Sequence, residues 1–208
     1  MRELNANLLR IVLSTEKRNI KGPAIFIDRD GVINCRRPSD YVLDWSQFVF
    51  MPGIRPALKR LSSLGLPMIV ISNQAAVGKG LLTLAGLREI TAQMHQALAA
   101  DGTLLTAAYY CTHRPDDNCA CRKPKPELLF KAADDFKVDL SRSVFVGDSE
   151  TDIKAARAAG CASVLFGSNT ALQPTSSTEL PTARSAADLF ALVARHFHAI
   201  EHFRPSEV

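Results

Sequence analysis

The chain has 208 residues, a length typical of one globular domain with short extensions. Hydrophobic residues make up 47% and charged residues 22% of the chain, which excludes a disordered protein, a collagen-like repeat and a small disulfide scaffold. The formal net charge of +4 suits a small anionic substrate but is too weak to indicate nucleic acid.

Short apolar runs alternate along the chain with segments of helical periodicity, which is typical of an α/β domain with a parallel sheet. The predicted strands cover residues 24–28, 68–72, 105–111, 143–147 and 162–166. The predicted helices cover residues 54–64, 84–100, 127–136 and 151–159. Because the strands are apolar nearly throughout, we expect helices on both faces of the sheet. The sequence therefore predicts a three-layer, Rossmann-like α/β fold with its core in residues 23–170.

Two extensions flank this core. Residues 1–22 place Leu4, Leu8 and Val12 on one helical face, which predicts a helix packed on its own domain or a frayed terminus. We expect a monomer, with a dimer through this N-terminal extension as the alternative. Within residues 171–208, a stretch rich in Pro, Ser and Thr at 172–184 predicts a surface linker, and a last helix is expected over 185–200.

The sequence also favours a cytoplasmic location without membrane contact. Polar residues interrupt each uncharged stretch before it is long enough to span a bilayer. Arg10 interrupts the first apolar run and no small-residue cleavage site follows, so no secretory signal is expected. In a reducing compartment, a cluster of cysteines indicates a metal site rather than disulfides.

Carboxylates follow two of the predicted strands at the point where each strand ends. Asp28 and Asp30 follow the first strand, and Asp148 and Asp152 follow the fourth. Ligands of open α/β sheets bind outside the carboxyl ends of the strands, so these acids are expected to converge. Converging carboxylates repel one another unless a hard cation lies between them, and oxygen ligands suit Mg²⁺. The alternative is that these aspartates cap loops or helices, which explains one strand end better than two matched ones.

Two further residues, Ser72 and Lys123, have side chains that can bind a phosphate group. Ser72 ends the second strand, where its hydroxyl can donate to a phosphoryl oxygen, although a serine there is also common in ordinary turns. Lys123 lies just ahead of a predicted helix, where a cation can offset the charge of a phosphoryl group.

Taken in order, these pieces resemble the haloacid dehalogenase superfamily of phosphotransferases over about residues 24–170. Its motifs match Asp28-Arg29-Asp30-Gly31-Val32, Ser72, Lys123, and Gly147-Asp148 with Asp152. The resemblance implies phosphate-ester hydrolysis in which Asp28 is the nucleophile and Asp30 the general acid and base. It also implies that Ser72 and Lys123 hold the oxygens of the transferring group.

The same resemblance implies a catalytic Mg²⁺. Its ligands would be the carboxylates of Asp28 and Asp148 and the backbone carbonyl of Asp30, with Asp152 as a further candidate.

A second metal site is predicted from the pattern C-x-H-x₅-C-x-C, formed by Cys111, His113, Cys119 and Cys121. Three thiolates and one imidazole are the donor set of a closed, structural Zn²⁺ site. The alternatives are buried cysteines beside a surface histidine, or a strained disulfide between Cys119 and Cys121. Since Lys123 follows closely, a metal-bound loop would anchor the backbone that carries this cation.

Within the superfamily, the chain resembles the D-glycero-D-manno-heptose-1,7-bisphosphate 7-phosphatases, and histidinol-phosphate phosphatases share its zinc loop and acids. Asn34 and the Gly-Lys-Gly run at 78–80 favour the heptose family. This resemblance implies a small phosphorylated sugar as substrate. The chain departs from that family at Ala75 and Ala76, where Ser-Gly is usual, and at Glu127-Leu128, where Gly-Met is usual. These departures leave the identity of the sugar open.

Residues 34–53 are too few for a separate cap domain, so we expect an open site shaped by loops. The resemblance implies substrate contacts from these loops, and the candidates are Tyr41, Asn73, Gln74, Lys79 and Arg122. The loops carry more positive charge than one phosphate needs, which a second anionic group on the substrate would explain. The alternative is a solvated basic surface.

Two other classes of function are alternatives to a small-molecule phosphatase. A nucleic-acid 3′-phosphatase would use the same acids, but the sequence has neither a basic helix nor an interleaved aromatic platform, so no nucleic-acid partner is expected. An inactive phosphate-binding module would have lost one of the acids, and all of them are present.

Overall fold

The computed structural model describes residues 8–14, 21–37, 41–167 and 180–199. Its strands are β1 (Leu8–Val12), β2 (Ile25–Ile27), β3 (Met68–Asn73), β4 (Ala107–Cys111), β5 (Val144–Gly147), β6 (Ala162–Phe166) and β7 (Thr182–Ala183). Its α-helices are α1 (Ile54–Ser62), α2 (Ala75–Gly78), α3 (Leu84–Ala100), α4 (Glu127–Phe136), α5 (Glu150–Ala158) and α6 (Ala186–His198). Within the described ranges, seven strands form one sheet in the order β1-β4-β3-β2-β5-β6-β7.

The centre of the sheet is β2, which pairs in parallel with β3 on one side and β5 on the other. Its residues Ile25, Phe26 and Ile27 alternate between the two faces, and all three are fully buried. One face packs against apolar residues of α1, α3 and α6, and the other against those of α4 and α5. The predicted three-layer α/β fold is therefore confirmed.

Helix termini follow the local sequence. The Thr83 hydroxyl accepts a hydrogen bond from the Gly86 amide at 3.0 Å and begins α3, whose Leu87, Ile90 and Met94 face the core. At α6, Ser185 caps the first turn and Asp188 returns the hydrogen bond, so this helix follows the prediction closely.

The predicted N-terminal helix is wrong over Leu8–Val12, which form a strand antiparallel to β4. Leu9 is buried against the α3 face of the sheet, while Arg10 points the other way and pairs with Asp135 of α4 at 3.2 Å. Pairing this strand with the edge of β4 satisfies backbone groups that β4 would otherwise expose. Leu4 lies outside the described residues.

The predicted linker contains a short strand that the sequence did not predict, because Thr182–Ala183 pair in parallel with β6. The rest of that stretch up to residue 179 lies outside the described residues. Between β2 and α1, the described residues form a single 3-10 turn at Trp45–Gln47 and no further helix or strand. Among the helices of the described ranges, none is both long enough and apolar enough to cross a membrane.

Candidate active site

The sheet brings the predicted acids together at one edge. Since β2, β3 and β5 are parallel neighbours, the residues that follow them meet at their carboxyl ends. Carboxylate oxygens of Asp28, Asp148 and Asp152 lie within 4.8 Å of one another. Asp28 and Asp152 border a cavity of about 880 Å³, and Asp30, Ser72 and Lys123 are among its other lining residues.

Two glycines allow this close approach. A side-chain carbon added at Gly31 would lie 1.8 Å from an oxygen of Asp148, and one added at Gly147 would lie 2.3 Å from the Cβ of Asp152. Gly31 also has a φ of 98°, a conformation that favours glycine. The motif glycines therefore make room for the acids.

Lys123 is the cation at the centre of the site. Its side chain is 3% exposed, and its Nζ lies 2.9 Å from Asp28 Oδ1 and 2.6 Å from Asp152 Oδ1. It also donates a hydrogen bond to the carbonyl oxygen of Ile71 at 3.0 Å. Burial alone would lower the pKa of Lys123, but Asp28 and Asp152 outweigh that effect and raise it, so the ammonium stays protonated.

One cation does not neutralise this group of acids. Burial raises the pKa of Asp28 to about 7, an effect that Lys123 opposes and that the carboxylates of Asp152 and Asp148 strengthen. Burial also raises the pKa of Asp148, against the opposing charge of Arg36. Hard carboxylate and carbonyl oxygens with unmet negative charge are a donor set that fits Mg²⁺.

Asp152 lies among these carboxylates, but other donors already engage both of its oxygens. Its Oδ1 pairs with Lys123, and its Oδ2 accepts hydrogen bonds from the backbone amides of Asp148 at 3.2 Å and Ser149 at 3.1 Å. The Ser149 hydroxyl adds a third hydrogen bond at 2.6 Å, which caps α5. These contacts favour a role for Asp152 in orienting Lys123 over one as a Mg²⁺ ligand.

Asp30 is held as a carboxylate by three donors. The guanidinium of Arg29 donates to both of its oxygens at 2.9 and 3.0 Å, Asn34 Nδ2 donates at 2.9 Å, and Gln74 Nε2 donates at 2.7 Å. Burial raises the pKa of Asp30, but the charge of Arg29 and the hydrogen bonds outweigh it, so the net shift is downward. The side chain is thus fixed in place and ready to accept a proton.

The amide of Asn73 acts on the backbone of Lys123. Its Oδ1 accepts a hydrogen bond from the Lys123 amide at 3.1 Å, and its Nδ2 donates to the Lys123 carbonyl at 3.2 Å. The neighbouring Gln74 contacts Asp30 and donates to the Ser72 hydroxyl at 3.2 Å. The sequence predicts substrate contacts for Asn73 and Gln74, and this stays a prediction, since the contacts observed are to residues of the catalytic motifs.

The mouth of the cavity is basic. Tyr41 lines it, and Lys79 Nζ lies 5.4 Å from the centre of the Tyr41 ring. Arg122 also lines the cavity, and its Nη1 is buried without a hydrogen-bond partner in the described part of the chain. A buried unpaired donor is costly, so an anionic group in the cavity would relieve that cost. The other cationic lining residues are Arg36, Arg37 and Lys125.

The Cys/His cluster is assembled beside this mouth. Cys111 Sγ lies 3.6 Å from both Cys119 Sγ and His113 Nδ1, while Cys121 Sγ lies 3.8 Å from Cys119 Sγ and 3.3 Å from His113 Nδ1. For a tetrahedral Zn²⁺ with ordinary bond lengths, the edges are about 3.8 Å between sulfurs and about 3.6 Å between sulfur and nitrogen. The four donors therefore fit Zn²⁺, and the three cysteines are free thiols without a disulfide.

Packing and hydrogen bonds tie this loop to the catalytic strands. The Gln74 amide donates to the Cys111 carbonyl at 2.7 Å. A side-chain carbon added at Gly78 would lie 2.6 Å from the carbonyl oxygen of Thr112, so α2 approaches the loop closely. The loop that carries the cluster is thus held against the residues that follow β3.

A family model of haloacid dehalogenase-like hydrolases matches residues 13–160. The chain belongs to the haloacid dehalogenase-like hydrolases. It is 40% identical to the D-glycero-beta-D-manno-heptose-1,7-bisphosphate 7-phosphatase of Helicobacter pylori over 133 residues, which cover 64% of this chain and 75% of that one. It is 38% identical to a D-glycero-alpha-D-manno-heptose-1,7-bisphosphate 7-phosphatase of Mycobacterium bovis over 151 residues, 69% of this chain and 78% of that one.

A solved structure extends this similarity to three dimensions. It is the crystal structure of D,D-heptose 1,7-bisphosphate phosphatase from B. bronchiseptica complexed with magnesium and phosphate. The match has a TM-score of 0.77 and 33% identity, and it covers 83% of this chain and 98% of that one. The predicted resemblance to haloacid dehalogenase-like hydrolases, and among them to the heptose-bisphosphate phosphatases, is confirmed.

Sequence reasoning missed Arg29 in this haloacid dehalogenase-like site. It is 1% exposed and holds Asp30 with two hydrogen bonds from one guanidinium nitrogen. A signal was available, because Arg29 lies between the apolar runs at 24–27 and 32–33, where an unpaired cation would be unfavourable. A buried arginine between two acids indicates an internal ion pair.

Proposed function

We propose that this chain is a Mg²⁺-dependent phosphomonoesterase that removes the 7-phosphate of D-glycero-D-manno-heptose 1,7-bisphosphate through an aspartyl-phosphate on Asp28. The observation that carries the proposal is the buried Asp28–Lys123 pair, 2.9 Å apart, in a cavity with a basic mouth. A carboxylate nucleophile, a fixed cation and a surplus of positive charge suit a substrate with two phosphates.

In the proposed reaction, Asp30 first takes up a proton from solvent as the substrate binds. An oxygen of Asp28 then attacks phosphorus, the bond from phosphorus to the sugar oxygen breaks, and Asp30 gives its proton to that oxygen. Asp30 then accepts a proton from the water that hydrolyses the aspartyl-phosphate. The Mg²⁺ that Asp28, Asp148 and the Asp30 carbonyl would hold supplies positive charge against the repulsion between nucleophile and phosphate. The Ser72 hydroxyl and the Lys123 ammonium hold the oxygens of the transferring group.

Zn²⁺ in the Cys/His cluster has a structural role in this proposal. Four protein donors leave no position for water or substrate, so the ion orders the loop and takes no part in the chemistry. The loop in turn fixes Arg122 and Lys123, which directly follow Cys121 in the chain.

The second phosphate is assigned to the mouth of the cavity. Arg122 and Lys79 place positive charge there, and the buried Nη1 of Arg122 supplies a donor for an anionic oxygen. One relative is named for the beta anomer of the sugar and the other for the alpha anomer, so the proposal does not specify the anomer. Ala75 lines the same cavity without a hydroxyl, which removes one possible hydrogen bond to the sugar.

The test is phosphate release from both anomers of heptose 1,7-bisphosphate, run beside histidinol phosphate, with Mg²⁺ present and then chelated. We expect faster turnover of a bisphosphate, loss of turnover on chelation, and a heptose 1-phosphate product by ³¹P NMR. A preference for histidinol phosphate would overturn the substrate while keeping the catalytic roles. Poor turnover of all three would point to a different phosphorylated metabolite and to Ala75, Ala76 and Glu127 as the residues that select it.

A further inference from the structure

Arg36 reaches the oxygens that we assign to Mg²⁺. Its Nη2 donates a hydrogen bond to Asp148 Oδ1 at 2.7 Å and lies 3.4 Å from the backbone carbonyl oxygen of Asp30. The two contacts join the loop after the first motif to an acid 112 residues further along the chain. Both oxygens belong to the ligand set in the proposed function, on which this inference rests.

A bound Mg²⁺ and Arg36 compete for the same acceptors. Mg²⁺ binds oxygens at about 2.0–2.1 Å, and Arg36 already donates to Asp148 Oδ1 at 2.7 Å. An ion held by Asp148 and the Asp30 carbonyl would therefore bring a second positive charge next to the guanidinium. We infer that Arg36 is a built-in counter-cation of the metal site, which Mg²⁺ displaces.

The ion pair between Arg36 and Asp148 is weak enough for Mg²⁺ to replace Arg36. The side chain of Arg36 is 53% exposed and that of Asp148 is 16% exposed, and partly exposed ion pairs contribute little to stability. A divalent ion that also binds Asp28 interacts with more of the negative charge than one guanidinium does. By contrast, Lys123 is buried and bonded to Asp28, Asp152 and Ile71, so it stays in place.

Once Mg²⁺ has displaced Arg36 from Asp148, its guanidinium is available to bind the substrate. Arg36 lines the cavity together with Arg37 and Tyr41, so a guanidinium that leaves Asp148 remains at the mouth, where an anionic substrate enters. Metal binding would then free a cation for the substrate. The two binding events are coupled, and the coupling acts equally in both directions.

The test compares Arg36→Gln with Arg37→Gln, which removes the same charge from the neighbouring position of the same loop. Mg²⁺ affinity is measured by isothermal titration calorimetry on the full chain without substrate. We expect Arg36→Gln to bind Mg²⁺ about 3- to 10-fold more tightly than the wild type, and Arg37→Gln to change by about 2-fold or less. At saturating Mg²⁺, the KM of Arg36→Gln for the bisphosphate should rise several-fold.

Unchanged or weaker Mg²⁺ binding by Arg36→Gln would overturn the exchange, since it would mean that Arg36 orients Asp148 for the ion. An unchanged KM would overturn the release of Arg36 toward the substrate. Asp148→Asn separates these results from failure of the proposed function. If the wild type shows no saturable Mg²⁺ binding, or Asp148→Asn binds as tightly, the proposed metal site is wrong and the exchange fails with it.

Discussion

The two candidate metal centres of this molecule are built in opposite ways. At the edge of the sheet, carboxylates face a cavity and share their charge with Lys123 and Arg36. At the end of β4 and in the loop that follows it, three sulfurs and one imidazole nitrogen lie within 4.8 Å of one another. The first centre is open, as chemistry requires, and the second is closed, as a structural role requires.

The closed centre supports the open one through a short covalent and hydrogen-bonded path. Cys121 is separated from Lys123 by one residue, and Asn73 bonds both backbone polar groups of Lys123. The cation of the active site is thus held at its backbone by the loop and by β3, and at its ammonium by two acids.

The largest effect is expected at the open centre, from Asp28→Asn. An amide of the same shape cannot attack phosphorus, so kcat should fall by about 10³-fold or more while the fold is kept. The measurement is Mg²⁺-dependent phosphate release, with Asp116→Asn on the exposed loop as the matched control. Turnover of Asp28→Asn within about tenfold of the wild type would sink the aspartyl-phosphate mechanism.

The next largest effect is expected from Lys123→Met, which removes the buried cation that pairs with Asp28 and Asp152. Two buried carboxylates would lose their partner, so we expect a loss of about 3–5 kcal/mol in the free energy of unfolding and of at least about 100-fold in kcat. Lys154→Met, which breaks only an exposed pair with Glu150, should cost about 0.5 kcal/mol or less.

Denaturant unfolding with and without Mg²⁺ measures both variants. Mg²⁺ should restore part of the stability of Lys123→Met, because the ion would neutralise the same acids. If the two lysine variants unfold at the same denaturant concentration, Lys123 does not carry the charge balance of the site.

Cys119→Ala tests the closed centre. It should lose Zn²⁺, lower the melting temperature and reduce kcat by about 10- to 100-fold through the loop that carries Lys123. Cys161→Ala is the matched control, since Cys161 is a buried cysteine in the apolar core far from the cluster in sequence. Zinc content by atomic emission decides the result, and an unchanged ratio of zinc to protein in Cys119→Ala would refute the assignment.

The fold and the acids were predictable because each rests on a strong local signal. Buried parallel strands are apolar throughout, and the acids that follow them can converge only where those strands end. The strand at Leu8–Val12 was not predictable, because Leu8 and Val12 lie four residues apart, a spacing that fits one face of a helix and, as an even number, one face of a strand. A segment of five residues is too short to distinguish the hydrophobic period of a helix from that of a strand.

The contacts of the site were harder to predict than its members. Asn73 and Gln74 follow the β3 serine in the motif, but the motif does not say whether their amides face the substrate or the protein. Their partners Lys123 and Asp30 come from distant positions, and only the packing of β3 beside β2 and the loop of the Cys/His cluster brings them within reach. Sequence thus indicates the chemistry of a residue before it indicates its partner.

Asn73→Ala is the smallest of the four effects and the sharpest test of how the two centres connect. Truncation leaves the amide and carbonyl of Lys123 without their partner, so the ammonium should be less well oriented and kcat should fall by about tenfold. If Asn73 instead binds the sugar, as the sequence predicts, the loss should appear mainly in KM. Steady-state kinetics on the bisphosphate, with zinc content measured in parallel, separates the two roles. A fall in kcat with unchanged KM and full zinc content would show that Asn73 orients Lys123. A rise in KM alone would show that Asn73 binds the substrate instead.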